Sequence, residues 1–259
     1  MKSDYLTAFQ TYTERYNTSD SKVHLKIIHT YHVAEVMEEL CRCRRIQGHL
    51  ADLAWLCALF HDIGRFEQLR RYGTFSDGAS IDYAALGCQV LQEEGFLSGL
   101  PKQDQSLILT AIRNHNQYEI QPGLSGEALT LCRLIRDADK CDIFRVFATD
   151  DLKDVTGCSE EEAAAWTVSP AVAQAIFSHR CVRREERKTG LDFWVSFLGF
   201  FFDMAYPESI AIAREQGYYR LPFERTRFLR EDTAQLIAML LRETELYCSG
   251  RLATLSDPR

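Results

Sequence analysis

The sequence predicts an all-α protein, and three observations support this. Apolar residues recur at helical spacing in one segment after another, as Val33, Val36, Met37 and Leu40 do. No run of alternating apolar and polar residues is long enough to indicate a strand. No Pro-, Gly- or Ser-rich linker divides the 259 residues, so we expect one helical domain spanning residues 1–259.

Caps and breakers set the expected helix boundaries in the N-terminal half. The predicted helices are one that starts at Asp4, then residues 22–46, 52–60, 81–94 and 101–116, and finally the helix that carries Asp139. Asp20 or Ser21 can cap the second helix, and Gly48 ends it. Residues 65–80 are rich in Arg, Gly, Phe and Asp, and we expect a loop or a broken helix there.

The C-terminal half is predicted to begin with a polar loop at residues 150–157 and to continue with helices at residues 160–166, 170–179, 191–206 and 232–246. The helix at residues 191–206 is strongly apolar. It is shorter than the about 20 residues that a bilayer requires, and it contains Asp192 and Asp203. We therefore interpret it as a core helix.

Charge and cysteine usage limit the class of protein. With 30 basic and 37 acidic residues the formal charge is -7, so the chain has no overall basic field for a nucleic-acid polymer. The nine cysteines include no Cys-x-x-Cys pair, which favours reduced thiols and a cytoplasmic location. The N-terminus has no apolar signal segment, and we expect no membrane partner.

One short stretch indicates chemistry. His61 and Asp62 follow an apolar helix, and two adjacent side chains can face one point only close to a helix end; Gly64 then allows the backbone to turn. His29 lies on an earlier predicted helix and Asp139 on a later one. Imidazole and carboxylate together suit a divalent Mn, Fe, Co, Ni or Zn ion more than calcium or magnesium.

These residues resemble the HD superfamily of metal-dependent phosphohydrolases, in the variant with the sequence His-Asp-Ile-Gly. The resemblance implies that His29, His61, Asp62 and Asp139 are the metal ligands, with His32 the weaker candidate on its helix. It also implies a helical bundle with the metal site at its centre. We expect the core to span about residues 22–147, with the helices of residues 160–248 packed on it.

Relatives that bind two metals usually supply two further histidines. His115 matches one of them, and the resemblance implies a catalytic role for it beside Asp62. Tyr83 stands where relatives often have the other histidine, so we expect at most a second, weaker metal. Tyr83 could ligate as a phenolate, Asp82 could replace it, or Tyr83 could line the substrate pocket.

The predicted activity is hydrolysis of a small phosphorylated molecule, a nucleotide or related phosphoester, by a phosphomonoesterase or phosphodiesterase. Arg65 and Lys140 are the expected contacts to the phosphate, and Tyr83 the third substrate-binding residue, whereas Arg70 and Arg71 are expected to be solvated. The chain lacks the acidic residues that follow the His-Asp pair in alarmone hydrolases and the Gly-Tyr-Pro element of the cyclic-dinucleotide branch. Two alternatives remain: a di-iron oxygenase, which needs a full second-metal set, and a non-catalytic metal-binding module.

Overall fold

The structure is a computed structural model that describes residues 2–255. These residues form helices joined by turns and loops, with no strand among them, so the all-α prediction is confirmed. They divide into two compact units, of which the first ends at Asp142 and the second begins at Ile143. The prediction of a single domain with C-terminal helices packed on a core is not tested by this division and stays a prediction.

The first unit contains the helices that carry the predicted ligands. These helices are α1 (Lys2–Thr13), α2 (Ser21–Cys43), α3 (His49–Phe60), α4 (Ile63–Tyr72), α5 (Tyr83–Glu93), α6 (Lys102–His115) and α7 (Gly126–Thr149), the last of which continues past the boundary between the units. Asp20 caps α2 by accepting hydrogen bonds from the backbone N–H groups of Lys22 and Val23. The apolar core of this unit includes Phe9, Met37, Leu40, Leu53, Leu59, Phe60 and Phe66.

Two glycines allow α4 and α5 to approach closely. A Cβ atom on Gly64 would lie 2.2 Å from the carbonyl oxygen of Tyr83 and 2.5 Å from the backbone nitrogen of Gly87. Real side chains do not tolerate such distances, so the absence of a side chain at residue 64 brings Tyr83 close to the loop that carries Asp62. Our sequence interpretation of Gly64 as the residue that turns the chain was wrong, since Gly64 lies within α4 and the turn is at His61 and Asp62.

The second unit has a core built from aromatic rings. Its helices are α8 (Leu152–Thr156), α9 (Glu160–Ala165), α10 (Pro170–Phe177), α11 (Gly190–Leu198), α12 (Phe200–Asp203), α13 (Pro207–Gln216), α14 (Leu221–Arg225) and α15 (Glu231–Ala253). Phe144 and Phe201 stack with ring centroids 4.8 Å apart, and Tyr219 meets Phe201 edge-on at 4.9 Å. Trp194 is fully buried in the same unit.

Residues 65–80 form a broken helix, which is one of the two alternatives predicted there: α4 ends before Gly73, which has a φ of +66°, and a short 3-10 helix follows at Asp77–Ala79. Two other segments differ from the sequence predictions. Residues 150–157 contain the short helix α8 because Asp151 caps it and Gly157 ends it. The helix predicted at residues 191–206 is interrupted at Gly199, where a Cβ atom would lie 3.2 Å from the Cα atom of Cys181, so the close approach of another segment divides it into α11 and α12.

Residues 207–225, for which no element was predicted, form α13 and α14, both with proline in the first turn. None of the helices in residues 2–255 is both long and apolar enough to cross a membrane.

Candidate metal centre

The four predicted ligands come together at one point of the first unit. His29 lies in the middle of α2 and Asp139 in α7, while His61 and Asp62 form the short connection between α3 and α4. His61 keeps helical backbone angles, but Asp62 leaves them with φ -102° and ψ 10°. This change of direction lets two adjacent side chains face the same point, which a continuous helix would not allow.

The distances between the ligand atoms match those expected around one metal ion. His29 Nε2 lies 3.0 Å from Asp139 Oδ1 and 3.3 Å from His61 Nε2. Asp62 Oδ2 lies 3.7 Å from His29 Nε2 and 3.6 Å from His61 Nε2. Atoms that each lie about 2.1 Å from a shared ion are separated by roughly 3 to 3.5 Å, so a zinc-sized ion fits the set.

Hydrogen bonds on the far side of each ring orient the histidine lone pairs toward this point. The Nδ1–H group of His61 donates to the carbonyl oxygen of Ala58 at 2.8 Å, and that of His29 donates to Asp142 Oδ2 at 2.7 Å. A carbonyl only accepts, so the Nε2 atom of neutral His61 carries a lone pair. Such outer hydrogen bonds are typical of metal-binding histidines. A shared cation would satisfy all the groups that converge here.

The charge states of the ligands also suit a cation. Burial alone would raise the pKa of the Asp62 carboxyl, but the positive charges of Lys26 and Arg65 hold it well below its usual range. Burial lowers the pKa of His61 to about 4, so the ring is neutral at pH 7. Asp62 and His61 are therefore ready to bind a metal without losing a proton.

His29 behaves differently. Burial and the charge of Lys26 disfavour its protonated form, but hydrogen bonds to Asp139 and Asp142 outweigh them and raise the pKa of His29 to about 9. A metal ion bound by His29 at neutral pH must displace a proton, so binding is expected to release one.

Lys26 is a site residue that the sequence reasoning missed. Its Nζ atom lies 2.7 Å from Asp62 Oδ2, and its side chain is only 17% exposed. The available signal was its spacing, since Lys26 precedes His29 by three residues and therefore lies on the same face of α2. Asp62 thus has an ammonium group beside the oxygen that faces the two histidines.

A second group of potential ligands consists of His61, Asp62 and His115, and it shares His61 with the group His29, His61 and Asp139. His115, the last residue of α6, completes the second group, with its Nε2 atom 3.8 Å from Asp62 Oδ1. Tyr83, the first residue of α5, is buried, and its hydroxyl group lies 2.9 Å from His115 Nε2. Asp82, the other residue considered at this position, caps α5 by accepting from the backbone N–H groups of Ala84 and Ala85.

The three residues expected at the substrate lie in different environments. Arg65 is 14% exposed, and its Nε atom lies 3.8 Å from Asp62 Oδ1. Tyr83 lies beneath the Arg65 guanidinium group. Lys140, although next to Asp139, is buried, with its Nζ atom 3.5 Å from the carbonyl oxygen of Arg136. Their contacts to a substrate stay predictions.

Surface residues near the motif have local partners. Arg70 and Arg71 both pair with Glu67, and their side chains are 63% and 47% exposed. His32, the weaker ligand candidate, is exposed and pairs with Glu35 on its own helix. Asp142, by contrast, is buried and accepts a hydrogen bond from His29.

A comparison with known protein families identifies the segment that carries this site. Residues 27–143 match the HD domain family. The match covers all four residues of the metal cluster together with Arg65, Tyr83, His115 and Lys140. No curated protein and no solved structure matches the chain significantly. The HD domain match supports a hydrolase-type, metal-dependent function for this region.

Proposed function

We propose that the protein is a metal-dependent phosphohydrolase of the His-Asp-Ile-Gly variant, acting on a small phosphoester such as a nucleotide. The observation that carries this proposal is the convergence of His29, His61, Asp62 and Asp139 at mutual distances suited to one ion, inside the segment that matches the HD domain. In the described residues, positive side chains lie beside this cluster, as an anionic substrate requires in an acidic protein.

When bound here, a divalent ion lowers the pKa of a coordinated water and polarises a phosphoryl oxygen. The residues of the chain supply the remaining functions. Asp62 stays ionised and can accept a hydrogen bond from the attacking water. Lys26 and Arg65, on opposite sides of Asp62, present positive charge to the phosphate oxygens, and arginine offers several donors in a fixed plane.

His115 is the residue we propose to act beside the attacking water. Its Nδ1–H group donates to the carbonyl oxygen of Ile112 at 2.6 Å, so its Nε2 atom lies on the Asp62 side of the site. There Nε2 accepts a hydrogen bond from the Tyr83 hydroxyl group, which must break before Nε2 can act on the water. Lys140 contributes positive charge behind Asp139 in this proposal. The di-iron oxygenase alternative is less favoured because Tyr83 offers a hydroxyl group where that chemistry needs another metal ligand.

The test is a phosphate-release screen on full-length protein purified without a metal-chelating tag. Mn²⁺, Fe²⁺, Co²⁺, Ni²⁺ and Zn²⁺ are added separately, and the substrates include nucleoside phosphates, sugar phosphates and a cyclic phosphodiester. We expect turnover that depends on the metal and is abolished by Asp62→Ala. His49→Ala is the matched control, because His49 begins α3 and is exposed.

Two results would contradict the proposal. One is turnover by Asp62→Ala at the rate of the unmodified protein. The other is tight metal binding without release of phosphate from any substrate class, which would favour the non-catalytic metal-binding module.

A further inference from the structure

The guanidinium group of Arg65 is held in one position beside Asp62. Its Nη1 atom donates to Gln68 Oε1 at 2.8 Å, to the carbonyl oxygen of Phe75 at 2.7 Å and to Asp77 Oδ1 at 3.1 Å. Its central carbon lies 3.2 Å from the centroid of the Tyr83 ring, a stacked cation–π arrangement. The charge is therefore fixed by contacts on several sides rather than extended into solvent.

One donor of this group is not used within the described residues. The Nε atom of Arg65 is buried, has no hydrogen-bond partner and faces Asp62 Oδ1 at 3.8 Å. A buried donor without a partner is unfavourable and calls for an explanation. An oxygen atom about 2.8 Å from both Nε and Oδ1 would fit to one side of the line that joins them.

His115 Nε2 already accepts a hydrogen bond on the same side of Asp62. Since the Nδ1–H group of His115 donates to Ile112, the hydrogen bond at 2.9 Å must run from the Tyr83 hydroxyl group to His115 Nε2. The ordinary pKa of a tyrosine hydroxyl is about 10, so this phenol keeps its proton at neutral pH. Asp62 Oδ1 and His115 Nε2 could otherwise bind a second ion together. Here the Tyr83 hydroxyl group is hydrogen-bonded to His115, and the Arg65 guanidinium group lies beside Asp62.

We propose that Arg65 takes the place of a second metal ion. The site then holds one divalent ion, bound by His29, His61, Asp62 and Asp139, and Arg65 supplies fixed positive charge beside Asp62 Oδ1. Tyr83 enforces the arrangement in two ways, because its ring supports the guanidinium group and its hydroxyl group occupies the lone pair of His115. A second divalent ion bound between Asp62 and His115 would be repelled by the nearby guanidinium charge.

The role of the Arg65 Nε–H donor is a further assignment, and it rests on the proposed function. In phosphoester hydrolysis the Nε–H group of Arg65 donates to a phosphoryl oxygen of the substrate, which approaches Nε without contacting the Asp62 carboxylate. Lys26, on the other oxygen of Asp62, provides the second positive contact. The phosphate then contacts two cationic side chains and one metal ion instead of two metal ions.

The experiment measures metal stoichiometry in the full-length chain, independently of activity. Mn²⁺ is titrated by calorimetry, and electron paramagnetic resonance detects the spin coupling that appears only when two Mn²⁺ ions share a ligand. The proteins are the unmodified chain, Arg65→Met, Tyr83→His and the double variant Arg65→Met/Tyr83→His. Arg70→Met is the matched control, since Arg70 is also on α4 but is exposed and pairs with Glu67.

We expect one Mn²⁺ per chain and no spin coupling in the unmodified protein and in Arg70→Met. Tyr83→His should gain a weak second ion, and the double variant should bind that ion at least tenfold more tightly and show spin coupling. Arg65→Lys retains the charge and should stay at one ion, which keeps the test decisive if Arg65→Met does not fold.

Two equally tight ions in the unmodified chain, or a single ion in a folded double variant, would overturn the inference. These outcomes are separable from failure of the proposed function. Phosphate release with two bound ions would remove the role of Arg65 alone. One bound ion without any phosphate release would remove the proposed activity and leave the charge replacement intact.

Discussion

The two compact units bury different kinds of side chain. In the first, the interior includes three histidines and several carboxylates, among them His29, His61, Asp62 and His115. In the second, the buried residues that the structure describes are apolar or hydroxyl-bearing, apart from Asp192. Burying a charged group is unfavourable unless it has partners. The buried charges of the first unit therefore need an explanation.

Asp192 is a buried carboxylate whose contacts stabilise the fold. Its carboxylate accepts hydrogen bonds from the backbone nitrogen and the hydroxyl group of Ser169 at 2.7 and 2.6 Å, and from the backbone nitrogens of Lys188 and Thr189 at 2.7 and 3.0 Å. Every partner is a neutral donor from a chain segment that the carboxylate ties down. Asp62 instead faces three histidines, a lysine and an arginine, which is a pattern that concentrates reactive groups.

The largest expected effect concerns the metal cluster. Replacing His61 by alanine removes a neutral ligand and should weaken divalent metal binding by at least 100-fold. The unmodified chain should gain about 4 kcal/mol of stability at a metal concentration 1,000 times its Kd, and His61→Ala should lose at least about 2.7 kcal/mol of that gain. Thermal unfolding with and without metal measures both effects.

His32→Ala is the control for this substitution, because His32 is an exposed histidine that pairs with Glu35. It should keep the full metal-dependent rise in Tm. If His61→Ala kept the same rise, the polar interior of the first unit would have to be explained as structural, like Asp192.

The next effect tests the apolar interior of the second unit. Phe201 is fully buried and stacks on Phe144, so Phe201→Ala should destabilise the protein by about 3 to 5 kcal/mol. Urea unfolding measures the loss. The neighbouring Phe202 is partly exposed, and Phe202→Ala should cost less. Metal affinity of folded Phe201→Ala should equal that of the unmodified chain; a large decrease would mean that the aromatic core also positions the ligands.

Gly64→Ala should have a slightly smaller effect on stability, about 3 kcal/mol, at the upper end of the usual penalty for overpacking. The added methyl group would meet the backbone of Tyr83 and Gly87, and backbone atoms cannot move aside as a flexible side chain can. Gly99→Ala is the control, since a Cβ atom there meets nothing within 4 Å. Equal stability of the two variants would show that α4 and α5 can separate at little cost.

The candidate ligands could be named from the sequence because the His-Asp pair is a recognisable motif, and the resemblance to the HD superfamily adds His29 and Asp139. A His-Asp pair after an apolar helix, preceded by His29 and followed by Asp139, already limits where a metal can lie. Most helices were predictable because caps such as Asp20 are read within a few residues. Gly48 does not end α2, which stops at Cys43, but precedes α3 as its N-cap.

The contacts that Lys26 and Arg65 make at the site were not predictable from sequence spacing. Lys26 meets Asp62 across 36 positions of sequence, and Arg65 lies on Tyr83 only because α4 and α5 approach closely at Gly64 and Gly87. The division of residues 191–206 into two helices likewise depends on the close approach of Cys181 to Gly199. Each of these features requires the relative position of two segments, which a single-sequence pattern does not contain.

Glu67 is a buried charge of the first unit that lies outside the metal cluster. Its replacement is expected to have the smallest effect, and it tests whether buried charge in this unit matters away from the metal. Burial alone would raise its pKa, but hydrogen bonds from Arg70, Arg71 and Tyr16 outweigh burial and lower it below the ordinary value of 4.5. A depressed pKa in the folded state means that the stabilisation is complete above about pH 4.5 and is lost as the pH falls through the folded-state pKa.

Glu67→Gln should therefore reduce stability by about 1 kcal/mol at pH 7, a modest value because both arginines are exposed to solvent screening. The difference from the unmodified chain should shrink as the pH falls below about 4.5, because the carboxyl group is then protonated in both the folded and the unfolded state. Urea unfolding from pH 3 to pH 8 measures this, with Glu38→Gln as the control at an exposed carboxylate. A constant difference at every pH would mean that Glu67 contributes by packing and neutral hydrogen bonds, as the buried residues of the second unit do, and that ionisation in the first unit matters only at the metal cluster.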